Sequence, residues 1–246
     1  MEETERHLEE ILSFIRQTVD QAGSKGAIIG LSGGIDSALV AALLVRALGR
    51  DRVHGLILPC ESSDEDIRDA VQLAQALGLS YDIFDLTQTY MAFLQDNGLE
   101  KEENLHFANI KPRLRMTTLY FHGGLRGYLV AGTANRSEMV TGYFTKYGDG
   151  GVDFEPIADL LKDEVYLMAR LFPIPESILE KPPSAGLLQG QTDEQELGFT
   201  YEELDSFIRT GEGRQALREK IFSLYRKSRH KTQPPVILDL KRNFYI

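Results

Sequence analysis

Leu8, Ile11, Leu12, Ile15 and Val19 recur at helical spacing, so residues 4–22 read as an amphipathic helix whose apolar stripe serves a core or a contact with a second copy. Beyond it, short apolar runs at 27–31 (AIIGL), 53–58 (VHGLIL), 81–86 (YDIFDL) and 127–131 (GYLVA) read as strands. Helical patterns at 35–48, 64–77, 87–96 and about 109–124 fill the intervals. That alternation predicts an α/β fold, a doubly wound parallel sheet with flanking helices. Right-handed crossovers and a reversal of strand order would set the ends of the first and fourth strands side by side, the place where open sheets bind ligands. Residues 141–156 and 181–198 are rich in Gly, Pro, Asp and Gln and show no periodicity, as functional loops often do. Helical patterns return at 200–209 and 212–227, ahead of a tail carrying Lys and Arg.

Composition narrows the class. A chain of 246 residues, 42% hydrophobic, can bury one substantial core, and a single domain over 1–246 is expected. With 27 basic and 37 acidic residues the formal charge is −10, which argues against nucleic acid or an anionic membrane as partner and leaves room for a local basic cleft. No apolar run approaches the ~20 residues that span a bilayer, and the MEETERHLEE start is charged rather than signal-like, so a cytoplasmic location is expected. The single cysteine, Cys60, excludes an internal disulfide and a cysteine-rich metal site; it reads as a packing residue at a strand end.

The first strand runs into Gly30, Leu31, Ser32, Gly33, Gly34, Ile35, Asp36 and Ser37 (GLSGGIDS), with a helix starting near Ile35. Backbone N–H groups and a helix N-terminus then converge on one point, which suits an anion. Gly33 and Gly34 allow close approach of the main chain, and Ser32 and Ser37 offer hydroxyl donors. Asp36 would repel phosphate unless a divalent cation lay between them, so its carboxylate implies Mg²⁺. The lysine that ends the common γ-phosphate loop is missing.

SGGIDS resembles the pyrophosphate-binding loop of the adenine nucleotide alpha-hydrolase superfamily, whose fold is Rossmann-like. Downstream, GTANRSE (132–138), GYFTKYGDGGVD (142–153), Leu161-Lys162, NIKPRLRM (109–116), PSAGL (183–187) and GQTDEQELG (190–198) resemble the NAD synthetase family, in order along nearly the whole chain. Pro112 departs from the small residue usual there.

The resemblance implies roles. ATP would be held by residues 30–37, Thr133, Lys162 and Ser184, and Mg²⁺ by Asp36 and Glu138. Asp36, Lys162 and Ser184 would act on the adenylation step. Deamido-NAD would meet Arg113, Lys146, Asp153, His230 and Lys231. The implied reaction is ammonia-dependent: ATP adenylates the nicotinate carboxylate, pyrophosphate leaves, and ammonia displaces AMP. A homodimer with dinucleotide sites at its interface is implied as well. Glutamine-dependent relatives carry a further amidase domain, for which 246 residues leave no room. Taken alone, Lys162 reads equally well as a solvated lysine ahead of a helix, and Glu138 as a helix-start acid. Tyr143, Phe144 and Tyr147 suit ring stacking or packing equally. The segment 181–198 is expected to act as a lid that orders over bound nucleotide. Two rivals remain at this stage: another ATP pyrophosphatase, such as a tRNA-modifying or GMP-forming enzyme, and a regulatory module that holds ATP without turnover.

Overall fold

A computed structural model describes residues 2–102, 104–181 and 193–238. The chain runs α1 (Glu2–Gln21), β1 (Gly26–Gly30), α2 (Ile35–Leu48), β2 (Val53–Ile57), α3 (Asp64–Leu77), β3 (Ser80–Ile83), α4 (Thr87–Asp96), α5 (Leu105–Ala108), α6 (Ile110–Arg126) and β4 (Tyr128–Ala131). Then follow α7 (Arg136–Thr141), α8 (Lys162–Ala169), α9 (Glu176–Leu179), α10 (Asp193–Leu197), α11 (Tyr201–Thr210) and α12 (Gln215–Thr232). The four strands are parallel in the order β3-β2-β1-β4, with Ala27 paired to both Val53 and Leu129. The reversal of strand order falls between β1 and β4, the two strands expected to lie side by side.

Strand periodicity sorts the core. Ala27, Ile29, Val53 and Ile57 face one layer with Ile15, Leu39, Leu43 and Val165. Ile28, Leu56, Leu58 and Cys60 face the other, with Tyr90, Met116 and Leu119. A side chain as buried as Ile28 or Ile29 contributes roughly 1.5–3 kcal/mol. Leu12, Ile15 and Val19 are all buried, so the α1 stripe belongs to the core. A third cluster, including Phe199, Leu204, Phe207 and Ile221, joins α10, α11 and α12.

Several expectations need correction. β3 stops at Ile83 instead of reaching 86, and α10 interrupts a stretch read as irregular. α12 runs on to Thr232, five residues past the expected end, because its last turn is polar and offers no apolar period to read. Pro112 causes no distortion: it lies in the first turn of α6, where its missing N–H has no intrahelical partner to lose.

Candidate active site

The loop between β1 and α2 is shaped by its own side chains. Gly34 is the N-cap of α2 and no side chain caps it. The first intrahelical bond is from Ala38 N–H to Gly34 C=O (3.1 Å), so the N–H groups of Ile35, Asp36 and Ser37 point beyond the helix end. Gly33 has φ +80°, and a Cβ there would stand 2.5 Å from the Asp66 carbonyl oxygen, so glycine is required on both counts. Leu31 anchors the loop to β2 by donating its N–H to Leu56 C=O at 2.8 Å. The two serines, offered by the sequence as hydroxyl donors, differ in exposure: Ser32 is exposed and Ser37 is not. Ser37 is buried, its hydroxyl donates to Gly34 C=O (2.9 Å), and it lies 3.0 Å from Ser32 Oγ. Ser32 Oγ accepts from Gly34 N–H at 3.2 Å. These hydroxyls hold the loop's curvature.

Asp36, on the first turn of α2, meets residues from two other elements. Asn135 Nδ2 donates to its Oδ1 at 2.9 Å, and Lys162 Nζ donates to its Oδ2 at 2.6 Å. Lys162 Nζ also lies 3.4 Å from Glu138 Oε1. Asn135 is the N-cap of α7: its side chain accepts from Glu138 N–H, and Glu138 reaches back to the Asn135 N–H, a complete capping box. One asparagine therefore sets both the start of α7 and one oxygen of Asp36. Lys162 is the first residue of α8 and its side chain is 4% exposed, which rules out the solvated reading. Its Nζ lies 5.1 Å from the centre of the Tyr201 ring. Burial opposes its charge, but Asp36 and then Glu138 outweigh that and hold its pKa above the ordinary lysine value. Burial, joined by Asp36 repulsion, raises Glu138 to about 8.

Thr133 stands in the turn between β4 and α7. Gly132 N–H donates to Phe154 C=O at 2.8 Å, and Ala134 N–H to Glu155 Oε2 at 3.1 Å, which fixes that turn at the end of the sheet. The donor set suits Mg²⁺. Asp36 and Glu138 offer two hard carboxylates to one point, and among the described residues no cluster of three or more His, Cys, Asp or Glu forms a protein cage. Mg²⁺ is commonly held by one or two carboxylates, with substrate phosphates and water completing the shell.

Four of the five residues implied for the dinucleotide meet at the loop that follows α7: Lys146 lies on it, Arg113 comes from α6, and His230 and Lys231 come from α12. Arg113 Nε donates to Lys146 C=O (3.2 Å), and Lys146 Nζ donates to His230 C=O (2.6 Å). Lys231 Nζ donates to the carbonyls of Gly142 (2.7 Å) and Phe144 (2.8 Å). Burial pushes the Lys231 pKa down against the pull of Asp149. Asp153 stands apart on the β4 side, accepting from Val130 N–H (2.7 Å) and from the Tyr120 hydroxyl (3.0 Å). Tyr143 is a packing anchor that donates to Glu196 at 2.8 Å, whereas Tyr147 is exposed. Ser184 and most of the segment expected to form a lid lie outside the described residues.

The family model for NAD synthase matches residues 7–235. The chain belongs to the NAD synthase family. Its relatives include an NH(3)-dependent NAD(+) synthetase of Carboxydothermus hydrogenoformans, 46% identical over 236 residues, covering 95% of this chain and 97% of that one. Among solved structures it is similar to an NMN synthetase from Francisella tularensis (33% identity, TM-score 0.90, covering 96% of this chain and 99% of that one). An NH3-dependent NAD synthetase from Campylobacter jejuni matches at 33% identity and TM-score 0.79, with the same coverage.

Within this NAD synthase, sequence reasoning left four site residues without roles: Asn135, Ser137, Tyr201 and Asp205. Asn135 carried a usable signal, since Asn followed three residues later by Glu is a capping-box pattern. The other three act across the fold, through contacts that no local pattern encodes.

Proposed function

We propose that this NAD synthase catalyses ammonia-dependent NAD formation in two steps at the ends of β1 and β4. ATP adenylates the nicotinate carboxylate of deamido-NAD with release of pyrophosphate, and ammonia then displaces AMP to give NAD. The observation that carries this reading is the convergence of Asp36, Asn135, Glu138 and Lys162 beside the open N-terminus of α2. The first-turn N–H groups of α2 would hold the pyrophosphate end of ATP. Lys162 would offset the charge that grows on the leaving pyrophosphate, a preorganised cation in a site largely closed to water. Asp36 and Glu138 would hold Mg²⁺, which when bound supplies charge neutralisation for the phosphates. Thr133, in its fixed turn, would contact ATP, and Ser184 would add a hydroxyl to the phosphates. Arg113, Lys146, Asp153, His230 and Lys231 would bind deamido-NAD, whose two phosphates and carboxylate suit the cations gathered at the loop after α7. No side-chain nucleophile is needed; catalysis rests on positioning and charge stabilisation.

The testing experiment follows AMP and NAD formation from ATP, deamido-NAD and ammonium, with Mg²⁺ present or chelated. Absence of NAD with both nucleotides and ammonium present would sink the proposal. The likeness to the Francisella NMN synthetase favours a second reading in which the deamidated mononucleotide is the acceptor. The same assay with nicotinate mononucleotide decides between them by the ratio of kcat/KM.

The whole chain is read here as one domain that works as a cytoplasmic homodimer. Tyr120, Phe121 and Leu125 are exposed on one face of α6, next to Asp153, which suits a copy-to-copy contact beside the dinucleotide site. No described helix is long and apolar enough to cross a membrane, and the one thiol, Cys60, is free and buried. Light scattering reads the assembly directly.

A further inference from the structure

α11 packs beside the first turns of α7 and α8 and meets them through one side of its surface. Tyr201, Asp205 and Arg209 follow one another at intervals of four residues, so they line a single face of the helix. Tyr201 sets its ring 5.1 Å from Lys162 Nζ, and its hydroxyl donates to Asp193 Oδ2 at 3.0 Å. Arg209 grips the same turn of α8 from outside, donating to both carboxylate oxygens of Asp163 at 3.1 Å.

Asp205 lies between them and is 2% exposed. Its Oδ1 accepts from the Ser137 hydroxyl at 2.5 Å, and its Oδ2 accepts from Asp163 N–H at 3.1 Å. Ser137 Oγ in turn accepts from Lys162 N–H at 3.2 Å. One buried carboxylate thus satisfies, directly or through one hydroxyl, the first two N–H groups of α8, and ties them to the residue next to Glu138. Those N–H groups lack intrahelical partners, and a carboxylate at a helix N-terminus is electrostatically favourable. Burying Asp205 raises its pKa, with Ser137 and Asp163 N–H opposing. Such burial is costly unless the acceptor bonds are met, and here they are.

We propose that Asp205 is a positioning residue for Lys162, holding the root of that lysine through Ser137 and Asp163 so that Nζ stays over Asp36. The inference rests on the reading of Lys162 as the cation of the adenylation step. A long lysine side chain has several rotatable bonds, and only a fixed root and a filled surrounding keep its head at one point. Asp205 supplies the first and Tyr201 part of the second.

The test is a double-mutant cycle read by single-turnover pyrophosphate release. Asp205→Asn keeps the shape and one acceptor for Asp163 N–H, but puts an NH₂ where Ser137 now donates. Ser137→Ala removes the relay and leaves Asp205 in place, so it serves as the second variant if Asp205→Asn folds poorly. In the otherwise unaltered protein each is expected to slow adenylation by about tenfold or more, with KM for ATP and deamido-NAD within about twofold. In a Lys162→Met background neither should slow it further, because the group being positioned is already gone. Equal slowing in both backgrounds would make Asp205 merely structural and overturn the inference. A slow Lys162→Met with normal rates for both Asp205→Asn and Ser137→Ala would overturn it as well, leaving the role of Lys162 intact. A Lys162→Met variant at full rate would remove the reading of Lys162 and this inference together.

Discussion

Replacing Lys162 with Met keeps most of the stem and deletes the charge, which separates what the lysine does for the fold from what it does for the reaction. Nζ is 2.6 Å from Asp36 Oδ2 and 3.4 Å from Glu138 Oε1. Removing one partner of a buried ion pair typically costs 3–5 kcal/mol, since the other charge is left behind. Two features put this site near the lower end of that range. Asp36 keeps its bond from Asn135 and its side chain is 18% exposed, and Glu138 can take up a proton. We expect a loss of about 3 kcal/mol at alkaline pH.

The pH dependence has a definite sign. Glu138 is raised from an unfolded value of 4.5 to about 8, so burying it costs nothing below the unfolded value, weighs against the fold increasingly between the two values, and levels off above about 8. Lys162 is a force that pulls this pKa down, so without it the group stays protonated to still higher pH. Lys162, held above the ordinary lysine value by Asp36 first and Glu138 second, stabilises the fold over this whole range, so the substitution should cost stability at pH 6 and more at pH 9, where Glu138 also loses its partner. Urea unfolding at the two pH values, at fixed salt, measures it. Adenylation should slow by roughly 10²-fold or more, as for other lost transition-state donors. A penalty that is the same at both pH values, or no penalty with normal pyrophosphate release, would refute the reasoning.

Asp36→Asn should fold normally and lose most turnover even at saturating magnesium, because a neutral amide binds a hard cation poorly; full activity there would remove Asp36 from the site. Asn135→Ala should cost about 1 kcal/mol for the lost helix cap, and more for the lost bond to Asp36, in thermal or urea melts. Asn135→Asp should keep the cap but set a third carboxylate beside Asp36, so it should retain more stability than activity; the reverse ranking would contradict the dual role of Asn135. Binding of Mg²⁺ with nucleotide should tighten as pH rises toward about 8, with proton release seen by calorimetry, since Glu138 must be ionised to serve as a ligand. Glutamine at equal concentration should not replace ammonium, and comparable NAD formation from highly purified protein would show otherwise.

What could be read from the sequence depended on how local the cause was. α3 and α4 match the expected bounds, 64–77 and 87–96, because apolar period and flanking turn residues lie within each segment. The parallel sheet followed from the alternation of elements, and right-handed crossovers with a reversal of strand order gave the neighbouring ends of β1 and β4. The burial of Lys162 was not legible, because the groups that neutralise it sit on α2 and α7 and the ring beside it on α11. Ser32 and Ser37 were read by residue type as hydroxyl donors, and their further part in shaping the loop, through bonds to Gly34 and to each other, is a matter of backbone curvature that type does not reveal. The last turn of α12 escaped notice because it is polar and has no apolar period to read, while its anchor, Lys231 reaching the carbonyls of Gly142 and Phe144, lies on a distant loop.

The bonds that make the site also fix when it can exist during folding. Asn135 and Asp36 are 99 residues apart in the chain, Lys162 and Asp36 are 126 apart, and Asp205 and Ser137 are 68 apart. Closing such spans carries an entropic cost that must be met before the contacts can form, so non-local sites assemble late. A chain emerging from the ribosome would have β1, its loop and Asp36 long before Lys162, and Asp205 later still. Until then the loop would lack the cation and the clamp proposed here for the adenylation step. ATP meeting a partly made chain would thus find a phosphate-shaped loop without the means to split it, and recovery of activity on refolding should trail recovery of the sheet.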